Sequence, residues 1–165
     1  MKATELIQSR IFENVQAFQP LLQQWKQAGN AVVFTNGCFD LVHRGHIDSL
    51  AKAAGFGDRL IVGLNSDASV KLLKGDTRPL VDQHSRAVLL ASLLMVDAVV
   101  LFEEETPYEL IRSIQPDVLV KGSEYQLEEI AGYDIVLAGG GRVERIDLTE
   151  GFSTSELIQK IKDNF

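Results

Sequence analysis

Two histidines three residues apart, His43 and His46, stand where an apolar run, Ala31 to Thr35, gives way to a helical pattern. On a helical turn that spacing aims both imidazoles at one point. There they could donate hydrogen bonds to charge that grows on phosphate oxygens during transfer. Gly45 between them leaves that turn without a side chain, so a phosphate could come close, and Gly37 permits a tight turn or a close approach to a ligand. A metal site is a competing use of the pair, but it would want a third ligand. His84, the remaining histidine, has no spacing relation to them. One histidine capping and the other packing is the plainer alternative, and the preceding strand with the Gly37-x-Phe39-Asp40 context weighs against it.

A second anion-suited turn lies about a hundred residues on, in Thr149-Glu150-Gly151-Phe152-Ser153-Thr154-Ser155-Glu156. Ser153 with Glu156 reads as a capping box, and the free amides of a first helical turn attract an anion. The hydroxyls of Ser153 and Thr154 add donors for β- and γ-phosphates. Alone this string is an ordinary cap; paired with the first, it predicts two helix starts that pinch a triphosphate. The cations for such a ligand cluster at Lys71, Lys74, Arg78 and Arg86. Lys74 is the best candidate to reach the α-phosphate and leaving group, Lys71 is a supporting candidate, and Arg78 and Arg86 are candidates for an acceptor's phosphate. So many negative charges also call for Mg²⁺, arriving with the triphosphate. No protein ligands for a metal are identified.

The elements that must position these groups alternate. Residues 1–30 read as a mostly helical extension, with apolar positions at Ile11, Val15, Phe18, Leu21, Leu22 and Trp25 and a stop at Gly29-Asn30. It is expected to pack on the domain or on a second copy. Residues 31–165 read as one domain. Strands are predicted at 31–35, 59–64, 97–102 and 117–121, with short ones near 135–137 and 142–147. Helices are predicted after residue 46, at 82–94, 107–114 and 154–161, and 65–80 reads as a polar loop. Apolar strands alternating with helices predict an α/β fold, a Rossmann-like parallel sheet with helices on both faces. Its ligands bind beyond the carboxyl ends of the strands.

The 165 residues are 45% hydrophobic, enough for one substantial core. A net charge of −7 argues against general affinity for nucleic acid, which needs clustered cations. One cysteine, Cys38, excludes an intrachain disulfide and fits a reducing, cytoplasmic setting. The N-terminus lacks the apolar core of a secretory signal. The longest apolar stretch, 87–102, is interrupted by Ser92 and Asp97 and falls short of the ~20 residues a membrane helix needs.

The string Gly37-Cys38-Phe39-Asp40-Leu41-Val42-His43-Arg44-Gly45-His46 resembles the GxFDxxHxGH signature of the cytidylyltransferase-like nucleotidyltransferases. The Thr149–Glu156 string is similar to that superfamily's second motif. The resemblance implies in-line attack on the α-phosphorus of a nucleoside triphosphate, with no covalent enzyme intermediate. It implies catalysis by His43, His46 and Lys74, and nucleotide contacts from these with Phe39, Asp40, Thr149, Gly151, Ser153 and Thr154. Acceptor contacts fall to Asp40, Lys71, Arg78, Arg86 and Lys121. Within the superfamily, residues 31–162 most resemble heptose 1-phosphate adenylyltransferases. The strings that carry this are Ala68 to Gly75, Arg78-Pro79, Asp117 to Gly122 with Tyr125, and Glu129 to Asp134. The implied substrates are ATP and a heptose 1-phosphate, with a separate sugar kinase upstream. The expected homodimer rests on the amphipathic first 29 residues, which would suit a dimer contact or cover their own sheet. Relatives that use CTP and glycerol 3-phosphate carry Arg just before Thr-Glu-Gly, where this chain has Leu148. That activity, or a module that binds nucleotide without catalysis, is the alternative.

Overall fold

Runs of Val, Ile and Leu without polar alternation bury both faces of a strand, and that requires helices on both sides of a sheet. The computed structural model, which describes residues 2–164, has this arrangement. The chain runs α1 (Ala3–Gln8), β1 (Ile11–Phe12), α2 (Val15–Gln27), β2 (Val32–Gly37), α3 (Arg44–Ala54), β3 (Arg59–Asn65), α4 (Asp67–Lys74) and α5 (Gln83–Ala91). It continues with β4 (Ala98–Phe102), α6 (Tyr108–Ile114), β5 (Val118–Gly122), a 3-10 turn (Leu127–Glu129), α7 (Tyr133–Ala138), β6 (Arg142–Ile146) and α8 (Thr154–Asn164). All strand pairs are parallel, in the order β1-β4-β3-β2-β5-β6. Successive strands step outward from β2 to β4, then the chain returns to lay β5 on the other side of β2. That reversal is the switch point of a doubly wound sheet.

One core joins Phe18, Leu22 and Trp25 of α2 with Leu110, Ile111 and Ile114 of α6 and Val136 of α7 on one face. The other joins Leu50 and Ala53 of α3 with Ala87, Leu90 and Ala91 of α5. The expected Rossmann-like sheet, helices on both faces, is what the chain forms.

Three local expectations are corrected. Within the mostly helical extension, Ile11 and Phe12 are a strand instead: they pair with Val99 and Val100 and add an edge to the sheet. The helix breaks there because Asn14 starts a new one, accepting the Ala17 N–H at 2.9 Å. Phe12 then meets Phe18 edge to face at 5.0 Å, and Phe18 meets Trp25 at 5.5 Å, so this segment covers the chain's own sheet. The polar loop at 65–80 contains α4, capped by the Ser66 hydroxyl accepting from the Ser69 N–H at 3.2 Å. Ile135-Val136-Leu137 is helical, in α7, not a strand. A three-residue apolar run suits either state, and Gly132, at φ +84°, turns the chain into the helix.

Because Phe18 is fully buried between α2 and the sheet, Phe18→Ala is expected to cost ~3–5 kcal/mol, read as a lower urea midpoint. An arm that packed only on another molecule would leave the midpoint unchanged.

Candidate active site

The site begins where two strands part. The β2–β3 ladder runs from Val32↔Arg59 to Gly37↔Leu64, whereas β2 and β5 pair only at Val33↔Val118 and Phe34↔Leu119. Beyond those pairs a crevice opens, bridged by the Thr35 hydroxyl donating to the Val120 carbonyl at 3.1 Å. Loops from β2, β3, β5 and β6 all end around it, as expected for a switch point.

The loop leaving β2 is shaped by its own aromatic ring. Phe39 holds a left-handed backbone, φ +47°, which costs a side-chain-bearing residue about 1–3 kcal/mol. Burial of its ring and contact with the His46 ring at 5.2 Å offset this. Gly37 is glycine because a Cβ there would sit 3.0 Å from Cε2 of Phe39. The expected close approach at Gly37 is therefore made by Phe39.

His43 is the N-cap of α3, and its backbone N–H donates to Nδ1 of His46 at 3.3 Å. With Nδ1 accepting, the proton of a neutral His46 lies on Nε2. Burial, then the neighbouring His43, pulls His46 down to about 4, so it is neutral at pH 7 and donates through that N–H. The two rings stack at 3.9 Å between centroids, 24° apart. Nδ1 of His43 is buried without a partner. Gly45 presents no open face to a phosphate: its missing Cβ would stand 3.0 Å from Cε1 of His43 and 3.0 Å from Cβ of Phe152. The expected approach there is closed by side chains from both strings.

Those contacts show that the two helix starts meet. The Thr154 hydroxyl lies 3.4 Å from the Leu41 carbonyl, and the Thr149 hydroxyl donates to Asp48 at 3.0 Å. The Ser153 side chain accepts from the Glu156 N–H at 3.0 Å, the backbone half of the expected cap. Gly151 turns the loop between them at φ +79°.

A cavity of about 430 Å³ is lined by Phe39, Asp40, His46, Lys74, Arg78, Lys121 and Thr154, all identified from sequence. His43 does not line it; its ring stacks on that of His46. Lys121 points over the Tyr125 ring, 5.6 Å from its centroid. Burial pulls its amine down to about 8, against the opposing pull of Glu124 and Cys38. An adjoining pocket of about 190 Å³ has apolar walls from Phe39, Leu50, Val120, Ile146 and Leu148.

Three residues expected to contact ligand are engaged by the protein itself or stand off the cavity. Arg86 is buried and donates to the carbonyls of Val81, Cys38 and Asn65 and to Asp67 at 2.6–2.9 Å, so it is a strut joining three loops. Asp40 takes the N–H groups of Leu80 and Val81 and the Arg78 guanidinium. Burial raises its carboxyl, but these donors outweigh that and hold it below its ordinary value. Its oxygens are spent on the 78–81 loop. Lys71 is exposed on α4 and does not line the cavity. Sequence reasoning missed Asn36, whose Oδ1 is buried without a partner beside the cavity, and Glu105 on its rim. Asn36 sits next to Gly37, and that adjacency was the only signal available.

The cytidylyltransferase-like family model matches residues 34–160. Bifunctional protein HldE from Campylobacter jejuni subsp. jejuni is 54% identical over 151 residues, covering 92% of this chain and 32% of that protein. Bifunctional protein HldE from Wolinella succinogenes is 53% identical over 146 residues, covering 88% of this chain and 30% of that protein. The chain thus spans about a third of the length of these relatives. Among solved structures, the lipopolysaccharide core biosynthesis protein from Thermoplasma volcanium GSS1 superposes with a TM-score of 0.59 at 26% identity. It covers 73% of this chain and 97% of its own. Pantoate-beta-alanine ligase from Francisella tularensis shares the fold alone, with a TM-score of 0.63 at 15% identity, covering 93% of this chain and 77% of its own. Among the described residues, no helix is long and apolar enough to cross a membrane.

In an NMR titration of the imidazole carbons, His46 is expected to titrate near 4. His43→Gln should raise that midpoint only part of the way to 6.5, because burial is the larger cause. A His46 midpoint near 6.5 in the intact protein would contradict the buried, neutral imidazole.

Proposed function

The chain belongs to the cytidylyltransferase-like family, and on that premise we propose that it transfers AMP from ATP to a heptose 1-phosphate. The products are ADP-heptose and pyrophosphate. The observation that carries this reading is the meeting of the two helix starts above a cavity lined by His46, Lys74, Arg78 and Lys121. Donors converge there as a triphosphate facing a phosphorylated acceptor requires.

In this reading an oxygen of the heptose phosphate attacks the α-phosphorus in line. The bond to the bridging oxygen of the β-phosphate breaks, and pyrophosphate leaves. The attacking phosphate is already an anion, so no side chain needs to take a proton from it. His46 donates its Nε2–H to the α-phosphate oxygens and Lys74 neutralises charge on the leaving group. His43, the first-turn amides of α8 and the hydroxyls of Ser153 and Thr154 hold the outer phosphates, with Thr149 and Gly151 fixing the loop that presents them. Arg78 uses only Nε on Asp40, which leaves its terminal nitrogens for the acceptor phosphate alongside Lys121. The apolar pocket beside Leu148 suits an adenine ring. Glu105 is the free carboxylate on the cavity rim and Asp40 is engaged, so Mg²⁺ would be held mainly by phosphate oxygens and would neutralise the developing charge.

The heptose 1-phosphate is supplied by a sugar kinase, as a separate protein or as part of a longer chain like the bifunctional relatives. The first 30 residues cover their own sheet, so a homodimer would be built on another face. Reaction in the cytoplasm, where ATP is available, completes the reading.

The test is pyrophosphate release over a grid of nucleoside triphosphates and sugar or polyol phosphates. ATP with a heptose 1-phosphate should react, and Lys74→Ala should lower kcat by about 10²-fold or more. Activity confined to CTP and glycerol 3-phosphate would replace this acceptor and nucleotide. Because Lys121 loses its charge as pH rises through about 8, KM for the sugar phosphate should climb above that pH, and Lys121→Arg should flatten the climb. A KM indifferent to both would remove Lys121 from the acceptor site.

A further inference from the structure

Phe152 is partly exposed, as several large apolar side chains of the chain are, and what sets it apart is the set of groups it touches. Its plane lies 25° from that of His43 at 6.3 Å between centroids, and the Arg44 guanidinium stands 5.8 Å from its centre. Its Cβ also fills the space that Gly45 leaves empty. The column continues from His43 to His46 at 3.9 Å and from His46 to Phe39 at 5.2 Å. Four rings thus follow one another in series, the first three near parallel and Phe39 tilted at 55° to His46. The outer two belong to loops on opposite sides of the site, one leaving β2 and the other entering α8.

Polar contacts do not hold the His43 imidazole. Nδ1 is buried without a partner, and no side-chain hydrogen bond fixes the ring. An imidazole so placed takes its rotamer from packing, against His46 on one side and Phe152 on the other. We propose that Phe152 is a positioning residue: it acts through His43, setting that imidazole against His46 whenever the 149–154 loop is docked on α3. This rests on the reading that the imidazole pair meets the triphosphate. It makes docking of the second helix start and alignment of the pair one event. Exposed Phe152 is then a working part of the site, though it touches no substrate.

Four variants test this: Phe152→Ala, Phe152→Tyr, His43→Ala and the double variant His43→Ala/Phe152→Ala. Loss of the ring should lower kcat about tenfold while KM for the acceptor stays within about twofold, since a small misplacement of a catalytic group is costly in the transition state. The NOE between the His43 and His46 rings should weaken in Phe152→Ala, and Phe152→Tyr should restore both it and kcat. The double variant should be no slower than His43→Ala, because the two changes act on one group. A normal ring-to-ring NOE in Phe152→Ala, or a double variant slower by the product of the single losses, overturns the proposal. If the wild-type protein transfers nothing to any acceptor, the proposed function falls, and the NOE alone still decides whether Phe152 holds His43.

Discussion

Everything at the site depends on β2 parting from β5 after two paired residues. A fully zipped ladder would close the sheet edge-on and leave no crevice. The early end of pairing at Phe34↔Leu119 puts the remaining turn of β2, Thr35 to Gly37, at the lip of an opening. From that lip the chain must reach the start of α3 within six residues, and Phe39 makes the turn by adopting a left-handed backbone over a buried ring. The position of the imidazoles follows from this turn, because His43 is the cap of the helix it delivers.

Two charged residues hold the surroundings in place. Arg86 spends its guanidinium on three carbonyls and Asp67, and ties the loops after β2 and β3 to the start of α5. Breaking such a buried set typically costs about 3–5 kcal/mol, since the partners are left unpaired. Asp40 does the same for the 78–81 segment, which carries Arg78 into the cavity. Both residues belong to strings that suggested ligand contacts. Their chemistry is indeed anion and cation recognition, but the partners are the protein's own backbone and, for each, one oppositely charged side chain.

The local electrostatics run against the whole molecule. A chain of net charge −7 gathers Lys74, Arg78 and Lys121 at one opening, with a neutral imidazole as donor beside them. Burial keeps His46 uncharged, and burial again weakens the hold of Lys121 on its proton. The site is therefore polarised toward an anion without being a dense cluster of full charges, and such a cluster would repel itself when empty.

Much of this was legible in the residues. Apolar runs at 31–35, 59–64, 97–102 and 117–121 declare parallel strands, because only burial on both faces tolerates them. The HxGH and Ser-Thr strings declare helix starts suited to anions, because caps and glycine act locally. Residues 11–12, 67–74 and 135–137 were misjudged, because short segments take their state from what they pack on. What the two strings do to each other lies beyond local reading. Whether Arg86 grips a substrate or a carbonyl, whether Gly45 is open or roofed by Phe152, and which imidazole faces the cavity depend on loops up to about a hundred positions apart. Side-chain type travels with the sequence; the partner that satisfies it is chosen only when the sheet brings distant loops within hydrogen-bonding reach.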